Sequence, residues 1–296
     1  MDQTPSDHQF SARNGLTFTY RIRWSGQTAN SRPILVQCPG WGLGSRYLES
    51  GLSPLEAHFK LIYFHPRGSA GSSRPVDSAQ MSCFDMAADL ELFRIHLGMD
   101  QYPAMLGHSH GGAIVLAYAQ TYPERVARII LIDHRLMGLG DTVVKNQFKK
   151  ERKGDARYHK AYEKLRTSNP TSDIEFTEYI RAVAPIYFYA PEKHVPTYLA
   201  ALDRTVVDLW CHEKVAVADM IVKRRKKMLK DLKRVTAQTL IIFGKQDAQC
   251  TIGNLEQTKL GISHSKAIAL EECGHFPWIE KPIETFTAIK EFLGEE

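Results

Sequence analysis

Short apolar runs that end in turn residues are the feature of this 296-residue sequence that most constrains its fold. The runs are PILVQCPG, FKLIYFHPRG, YPAMLGHS, VARIILIDH, QTLIIFGKQD and KAIALEECGH. Each is typical of a strand in a parallel sheet, where both faces of the sheet are covered. Other segments carry apolar residues at helical spacing, such as residues 81–97 and 280–293. Strands that alternate with helices predict a mostly parallel sheet with helices on both faces.

The alternation is interrupted at two places. Near the N-terminus, apolar and polar residues alternate on both sides of Asn14-Gly15, which predicts an antiparallel hairpin. From residue 138 to residue 234 the sequence is polar, aromatic and helix-like, and the span is too long for a loop. We therefore predict an eight-stranded, mostly parallel α/β sheet built from residues 1–137 and 235–296, with a helical cap inserted as residues 138–234.

The composition narrows the class of protein. Hydrophobic residues make up 43% of the chain and charged residues 24%, which is ordinary for a soluble globular protein. The longest apolar runs are too short to span a bilayer, and the polar start of the chain has no signal-peptide pattern. Five cysteines without CxxC spacing predict reduced thiols rather than a zinc site or a disulfide framework. We therefore expect a cytoplasmic protein.

Positive charge is concentrated in VKRRKKMLKDLKR, residues 222–234. Such a run could steer an anionic substrate, contact a membrane or RNA, or act as a nuclear address, but a solvated helix face explains it more simply. No nucleic-acid-binding motif accompanies the run. We expect a small-molecule substrate, no nucleic-acid or membrane partner, and a monomer or weak homodimer.

The segment GHSHG, residues 107–111, fits the pattern G-x-S-x-G. An apolar strand precedes it and a predicted helix follows it. In that setting the serine lies on a sharp, strained turn from strand to helix, which requires small neighbours. Ser109 is therefore the candidate nucleophile.

A serine nucleophile needs a base, and the base needs an acid that orients it. Asp247 ends the run QTLIIFGKQD, and His275 ends the run KAIALEECGH. Open α/β sheets place their sites at the carboxyl ends of the strands. We predict that His275 is the base and Asp247 the acid. Asp133, which directly follows RIILI, is the alternative acid.

Negative charge that develops on a substrate oxygen needs preorganised donors. We expect these to be the backbone N–H of His110, which follows the nucleophile, and that of Trp41 in the turn CPGWG. Aromatic residues of the predicted cap are candidates for an apolar pocket, because lids of this kind exclude water and select substrates. The residues predicted to line the pocket are Gly40, His108, Tyr187, Trp210 and Phe276.

From about Leu16 to Leu293, these motifs resemble the α/β-hydrolase fold superfamily and occur in its order. The resemblance is carried by HPRGSAGSSRP, GHSHGG, RIILID, TLIIFGKQD and CGHFPWIEKPIE. The first of these segments, together with PIYFYAPE and the tail after His275, is similar to the proline iminopeptidase branch. The resemblance implies a serine hydrolase with a helical lid, acting on a small ester, amide, lactone or thioester. No feature of the sequence requires a metal or an organic cofactor.

The sequence departs from the iminopeptidase pattern around the serine. His108 and His110 flank Ser109, and CPGWG replaces the HGGPG-type turn of that branch. The candidates for holding a substrate's amino terminus are the cap residues Glu175, Glu178 and Glu192. Peptidase activity is therefore less strongly implied than hydrolase chemistry.

Two alternatives of different classes remain open. PGW together with HSHGG is similar to the cofactor-free ring-cleaving dioxygenases built on this fold. That resemblance implies proton abstraction by His275 with Asp133 as its partner, while Trp41, His108 and His110 shape the pocket. C–C bond cleavage by the same His/Asp pair belongs with this alternative. The other alternative is a non-catalytic receptor for a small molecule.

Overall fold

A single mixed sheet forms the centre of the molecule in a computed structural model that describes residues 7–26, 32–140 and 142–294. Its strand order is β1-β2-β4-β3-β5-β6-β7-β8, with β1 and β2 antiparallel and the remaining strands parallel to one another. The strands are β1 Asp7–Ser11, β2 Thr17–Arg23, β3 Pro33–Gln37, β4 Lys60–Phe64, β5 Ala104–His108, β6 Arg128–Ile132, β7 Gln238–Gly244 and β8 Ser265–Leu270. The predicted eight-stranded, mostly parallel sheet is confirmed.

The predicted hairpin is formed by β1 and β2, which pair with Ser11 opposite Thr17. Its connection is longer than the two residues Asn14-Gly15. The Ala12 N–H donates to the Leu16 carbonyl at 2.8 Å, and this bond closes the loop. Residues 1–6 lie outside the described ranges, so the prediction that the chain lacks a signal peptide is not tested at those positions.

Twelve α-helices accompany the sheet within the described residues. They are α1 Arg46–Leu52, α2 Cys83–His96, α3 His110–Thr121, α4 Thr142–Lys153, α5 Ala156–Thr167, α6 Asp173–Val183, α7 Pro191–Ala201, α8 Leu209–Asp219, α9 Val222–Lys230, α10 Ile252–Gly261, α11 Pro277–Glu280 and α12 Pro282–Leu293. Helices α4 to α9 lie between β6 and β7 in the chain. They fall inside the span predicted as a cap, although the division into core and cap stays a prediction.

The core has two main apolar clusters, one on each face of the sheet. Leu35 belongs to the first cluster, whereas Ile34 and Val36 belong to the second. Consecutive residues of a strand point to opposite faces, so β3 is covered on both sides. Helices α2 and α3 pack in the first cluster; α1 and α12 pack in the second, together with residues of α6 and α7.

Each of the five cysteines is buried and unpaired. In the ranges 7–26, 32–140 and 142–294, every helix is too short or too polar to cross a bilayer.

Candidate active site

Ser109 lies on a strained turn between β5 and α3. Its backbone has φ +52° and ψ −121°, a conformation that a residue with a side chain rarely adopts. The surrounding backbone is too close for larger residues: a Cβ added at Gly107 would lie 2.5 Å from the Gly111 carbonyl oxygen. One added at Gly111 would lie 2.3 Å from the Gln37 carbonyl oxygen. The glycines of the motif are therefore required by close approach, and they bring Ser109 to the end of the sheet.

His275 and Asp247 form a buried hydrogen-bonded pair. Asp247 follows β7, His275 precedes α11, and the His275 Nδ1 lies 2.7 Å from the Asp247 Oδ2. The other carboxylate oxygen accepts from the backbone N–H groups of Gln249 at 2.7 Å and Cys250 at 3.2 Å. Because a carboxylate accepts, the His275 Nδ1 carries the proton and its Nε2 is left as a proton acceptor.

Ser109 and His275 line one cavity of about 330 Å³. The Ser109 hydroxyl makes no hydrogen bond with His275 or with another residue of the described ranges. Catalytic hydrogen bonds are often long before substrate binds and tighten in the complex. The structure thus joins two of the predicted triad residues directly and places the third in the same cavity.

Asp133, the alternative acid, has a different set of contacts. The Asp133 backbone has φ +40°, and the Oδ1 atom of its side chain accepts from the Gly244 N–H at 3.0 Å. It makes no hydrogen bond to His275. Burial raises the pKa of Asp133 well above its ordinary value, and the neighbouring charge of Asp247 adds to this effect. The carboxyl that contacts the histidine is therefore that of Asp247.

The two predicted oxyanion donors have no acceptor in the described part of the chain. These are the backbone N–H groups of Trp41 and of His110, the first residue of α3. The ring of His110 holds the turn before Trp41, because the Gly40 N–H donates to its Nδ1 at 3.1 Å. Its Nε2 then carries the proton and donates to the Asp219 Oδ2 at 2.8 Å. Since Asp219 ends α8, His110 connects the oxyanion turn to the predicted cap.

Three of the five predicted pocket residues line the cavity, namely His108, Tyr187 and Phe276. Gly40 and Trp210 are not among the residues that line it. Gly40 is buried, and its N–H donates to the ring of His110. Trp210 lies on a different face of α8 from the lining residue His212, and its ring packs under the Arg74 guanidinium at 4.6 Å.

His108 has a supporting role beside the cavity. Its Nε2 donates to the His275 carbonyl at 2.8 Å, and its Nδ1 accepts from the Tyr47 hydroxyl at 3.1 Å. Burial lowers the pKa of His108 well below its ordinary value, and the proximity of His275 lowers it further. A neutral His108 therefore fixes the backbone of the proposed base.

Several lining residues were not predicted from the sequence: Leu43, Tyr47, Arg135, Lys145, Ile180, Tyr198, His212, Val215, Ala216, Gln249 and Cys250. Arg135 had a usable signal, because it comes two residues after Asp133 at the end of β6. No feature of the sequence marked Asp219 as a residue near the site. It is 109 residues from His110 and lies in a helix without a motif.

Asp247, Cys250 and His275 offer metal-ligating atoms within 4.8 Å of one another. Their chemistry does not suit a metal site. The His275 Nδ1 is already bonded to Asp247, and burial raises the pKa of the Cys250 thiol well above its ordinary value. We therefore assign no metal to this cluster.

The strained turn at Ser109 and the hydrogen-bonded pair of His275 and Asp247 follow the carboxyl ends of parallel strands, where open α/β sheets place their sites. The family model for the alpha/beta hydrolase fold matches residues 33–282. The chain belongs to this family, and it is an enzyme of the hydrolase class.

The chain is similar to named members of the family. Monoacylglycerol lipase ABHD6 of Bos taurus is 24% identical over 269 residues, which cover 89% of this chain and 76% of that protein. A proline iminopeptidase of Neisseria meningitidis is 37% identical over 90 residues, or 30% of this chain and 28% of that one. A thermophilic esterase of Thermogutta terrifontis has a TM-score of 0.70 at 21% identity, with 97% and 98% of the two chains covered.

Proposed function

We propose that this chain is a serine hydrolase that cleaves a small ester, amide, lactone or thioester through an acyl-enzyme on Ser109. One observation carries the proposal. A serine at φ +52° shares a cavity with a histidine whose Nδ1 is bonded to a buried carboxylate. That arrangement leaves the His275 Nε2 to accept the serine proton.

The reaction follows from these positions. The Ser109 oxygen attacks the substrate carbonyl carbon while the His275 Nε2 takes the hydroxyl proton, and Asp247 stabilises the imidazolium. The N–H groups of Trp41 and His110 donate to the oxyanion, since no described acceptor competes for them. His275 then gives its proton to the leaving group. A water molecule, deprotonated by His275, attacks the acyl carbon. The bond from that carbon to the Ser109 oxygen then breaks, His275 returns the proton to this oxygen, and the acid product leaves.

The cavity favours a small substrate over a peptide. About 330 Å³ is at the low end of the range of small-molecule sites. None of the candidate glutamates for an amino terminus lines the cavity. Glu175 bonds to Thr171 on the surface, while Glu178 and Glu192 are exposed beside arginines. An esterase or lactonase therefore fits the cavity better than an aminopeptidase does.

The nucleophile is tested with a fluorophosphonate probe and mass spectrometry of the labelled peptide. We expect the label on Ser109 and none on the Ser109→Ala protein. Hydrolysis of a short-chain aryl ester should fall by about a thousandfold or more in the same variant. Ser265→Ala, at the edge strand β8, is the matched control and should retain both labelling and turnover.

The same variants separate the other classes of function. A dioxygenase or lyase that abstracts a proton should retain much of its activity in Ser109→Ala and lose it in His275→Ala. A receptor should neither turn over an ester nor react with the probe, while a small ligand raises its melting temperature. Either result contradicts the serine hydrolase proposal.

A further inference from the structure

The cavity that contains Ser109 and His275 has an uneven charge. Among the described residues that line it, Arg135 and Lys145 carry positive charge at neutral pH, and none is an aspartate or a glutamate. Most of the rest of the lining is aromatic or aliphatic. The cavity therefore offers an apolar space with cationic groups on one part of its wall.

The backbone of Arg135 is fixed next to the nucleophile. Its N–H donates to the Ser109 carbonyl oxygen at 3.0 Å. The preceding residue, His134, is buried and bonds through Nε2 to the Thr258 hydroxyl at 2.7 Å. These hydrogen bonds fix the position of the Arg135 Cα relative to Ser109, so the side chain extends from a defined point next to the nucleophile.

The guanidinium of Arg135 is exposed. It forms no hydrogen bond or ion pair with any residue in the described ranges. It also lines a second cavity of about 160 Å³, which shares Lys145, Gln249 and Cys250 with the first. An arginine at this boundary presents a planar set of N–H donors to whatever occupies the two cavities.

We propose that the substrate of this enzyme carries a carboxylate, which the Arg135 guanidinium binds while the apolar body fills the main cavity. The inference rests on the proposed hydrolase function and specifies its substrate class. A carboxylate matches the arginine fork with two parallel charge-assisted hydrogen bonds. A substrate with a protonated amine would meet the Arg135 cation and no carboxylate among the described residues that line the main cavity. Asp219, which lines the second cavity, is bonded to His110.

The binding test uses the Ser109→Ala protein, so that it does not depend on turnover. 4-Phenylbutanoate and 4-phenylbutanamide have the same shape and differ in charge. By titration calorimetry at low ionic strength, we expect the carboxylate to bind at least about tenfold more tightly than the amide. Adding Arg135→Met should reduce this difference to about twofold or less, and Arg135→Lys should give an intermediate value because an ammonium lacks the fork.

Lys226→Met is the control for net charge, since this exposed residue lines neither cavity. It should leave the preference for the carboxylate intact. Equal affinities for the two ligands, binding by neither, or a preference that survives Arg135→Met would overturn the proposal.

A kinetic test separates this inference from the hydrolase proposal. The 4-nitrophenyl monoester of glutarate should have a kcat/KM at least about tenfold above that of 4-nitrophenyl pentanoate, and Arg135→Met should remove most of this ratio. If both esters were cleaved at equal rates in a Ser109-dependent reaction, the proposed carboxylate substrate would be wrong, while the serine hydrolase proposal would still hold. If a carboxylate bound through Arg135 but Ser109 showed neither labelling nor turnover, the serine hydrolase proposal would be wrong, while the proposed class of ligand would still hold.

Discussion

Asp247 and Asp133 are buried after the ends of two adjacent strands, and their different contacts indicate different roles. Asp247 follows β7, accepts two backbone N–H groups and contacts His275. Asp133 follows β6, accepts one N–H from Gly244 and leaves its Oδ2 buried without a described hydrogen-bond partner. Two carboxylates this close cannot both ionise easily, and the raised pKa of Asp133 reflects burial first and the charge of Asp247 second. The direction of this shift favours the protonated form of Asp133.

Asparagine substitutions at the two positions should therefore have opposite consequences. Asp247→Asn removes the charge that stabilises the imidazolium of His275, so we expect kcat for an aryl ester to fall by about a thousandfold or more. Asp133→Asn keeps an acceptor for the Gly244 N–H and should retain most of the activity. Steady-state kinetics of both variants decide between the two acids. Loss of activity in Asp133→Asn alone would favour the dioxygenase-type pairing.

Because the pKa of Asp133 is raised, the contribution of this residue to the free energy of unfolding depends on pH, and the sign of the dependence is fixed. The pKa of Asp133 is higher in the folded protein than the ordinary value of 3.8, so its contribution to stability is full below that value and is lost as the pH rises. Asparagine imitates the protonated form at every pH. Urea unfolding should therefore give Asp133→Asn an advantage over the wild-type protein that grows as the pH rises above 3.8, until Asp133 ionises in the folded protein. An advantage that shrinks over this range would contradict the assignment.

The sequence predicted those site residues that follow strand ends or belong to a local motif. Ser109 has the glycine pattern, and Asp247 and His275 each end an apolar run. Asp219 was missed because its only mark is a contact with His110 from a distant helix. Trp210 does not line the cavity, and an aromatic residue in the predicted cap carries no information about which helix face meets the cavity.

At the scale of elements, the turn from β5 to α3 determines where the nucleophile lies. The glycine at 107 in β5 touches the backbone of the first turn of α3, as an added Cβ would lie 2.5 Å from Gly111 O and 2.6 Å from Gly112 Cα. Neither atom belongs to a side chain that could move aside. The sequence predicted the sharp turn from its small residues, but not which glycine made which contact.

Gly107→Ala should therefore destabilise the fold and impair the site together. We expect the free energy of unfolding to fall by about 1–3 kcal/mol from overpacking, and kcat to fall by up to about a hundredfold as Ser109 is displaced. Gly253→Ala is the matched control in α10, where the nearest atom to an added Cβ is 3.6 Å away. That change should leave the stability equal or raise it by up to about 1 kcal/mol, because alanine favours a helix. Equal effects at the two glycines in urea titrations would rule out the close-contact explanation.

At the scale of the whole molecule, carboxylates of α2 and of the run itself partly neutralise the basic run 222–234. Arg224 lies 3.5 Å from the Asp85 carboxylate, and Lys227 and Arg234 form ion pairs with Asp231. The sequence predicted a solvated helix face here. The contacts of Arg224 with Asp85 and with the Ala218 carbonyl additionally join α9 to α2 and α8. Sequence spacing could not predict them, since Asp85 is far from this run in the chain.

Arg152 makes a buried connection between the predicted cap and the loop that carries the acid. Its guanidinium donates to the Ile186 carbonyl at 2.9 Å and to the Gln246 carbonyl at 2.7 Å, directly before Asp247. The side chain is 7% exposed and lies between the rings of Phe148 and Tyr158. Arg152 thus connects helices α4 and α5 of the predicted cap to the segment that follows β7.

Arg152→Met should loosen the cap relative to the sheet, because it keeps most of the apolar stem and removes both charge-assisted hydrogen bonds. We expect the free energy of unfolding to fall by about 2–3 kcal/mol and trypsin to cleave between residues 138 and 234 before it cleaves the sheet. Lys153→Met removes a neighbouring exposed charge and should leave both properties unchanged. Mass spectrometry of the first fragments locates the cuts. First cuts within the parallel strands, or an Arg152→Met protein as resistant as the wild type, would contradict both this connection and the predicted cap boundaries.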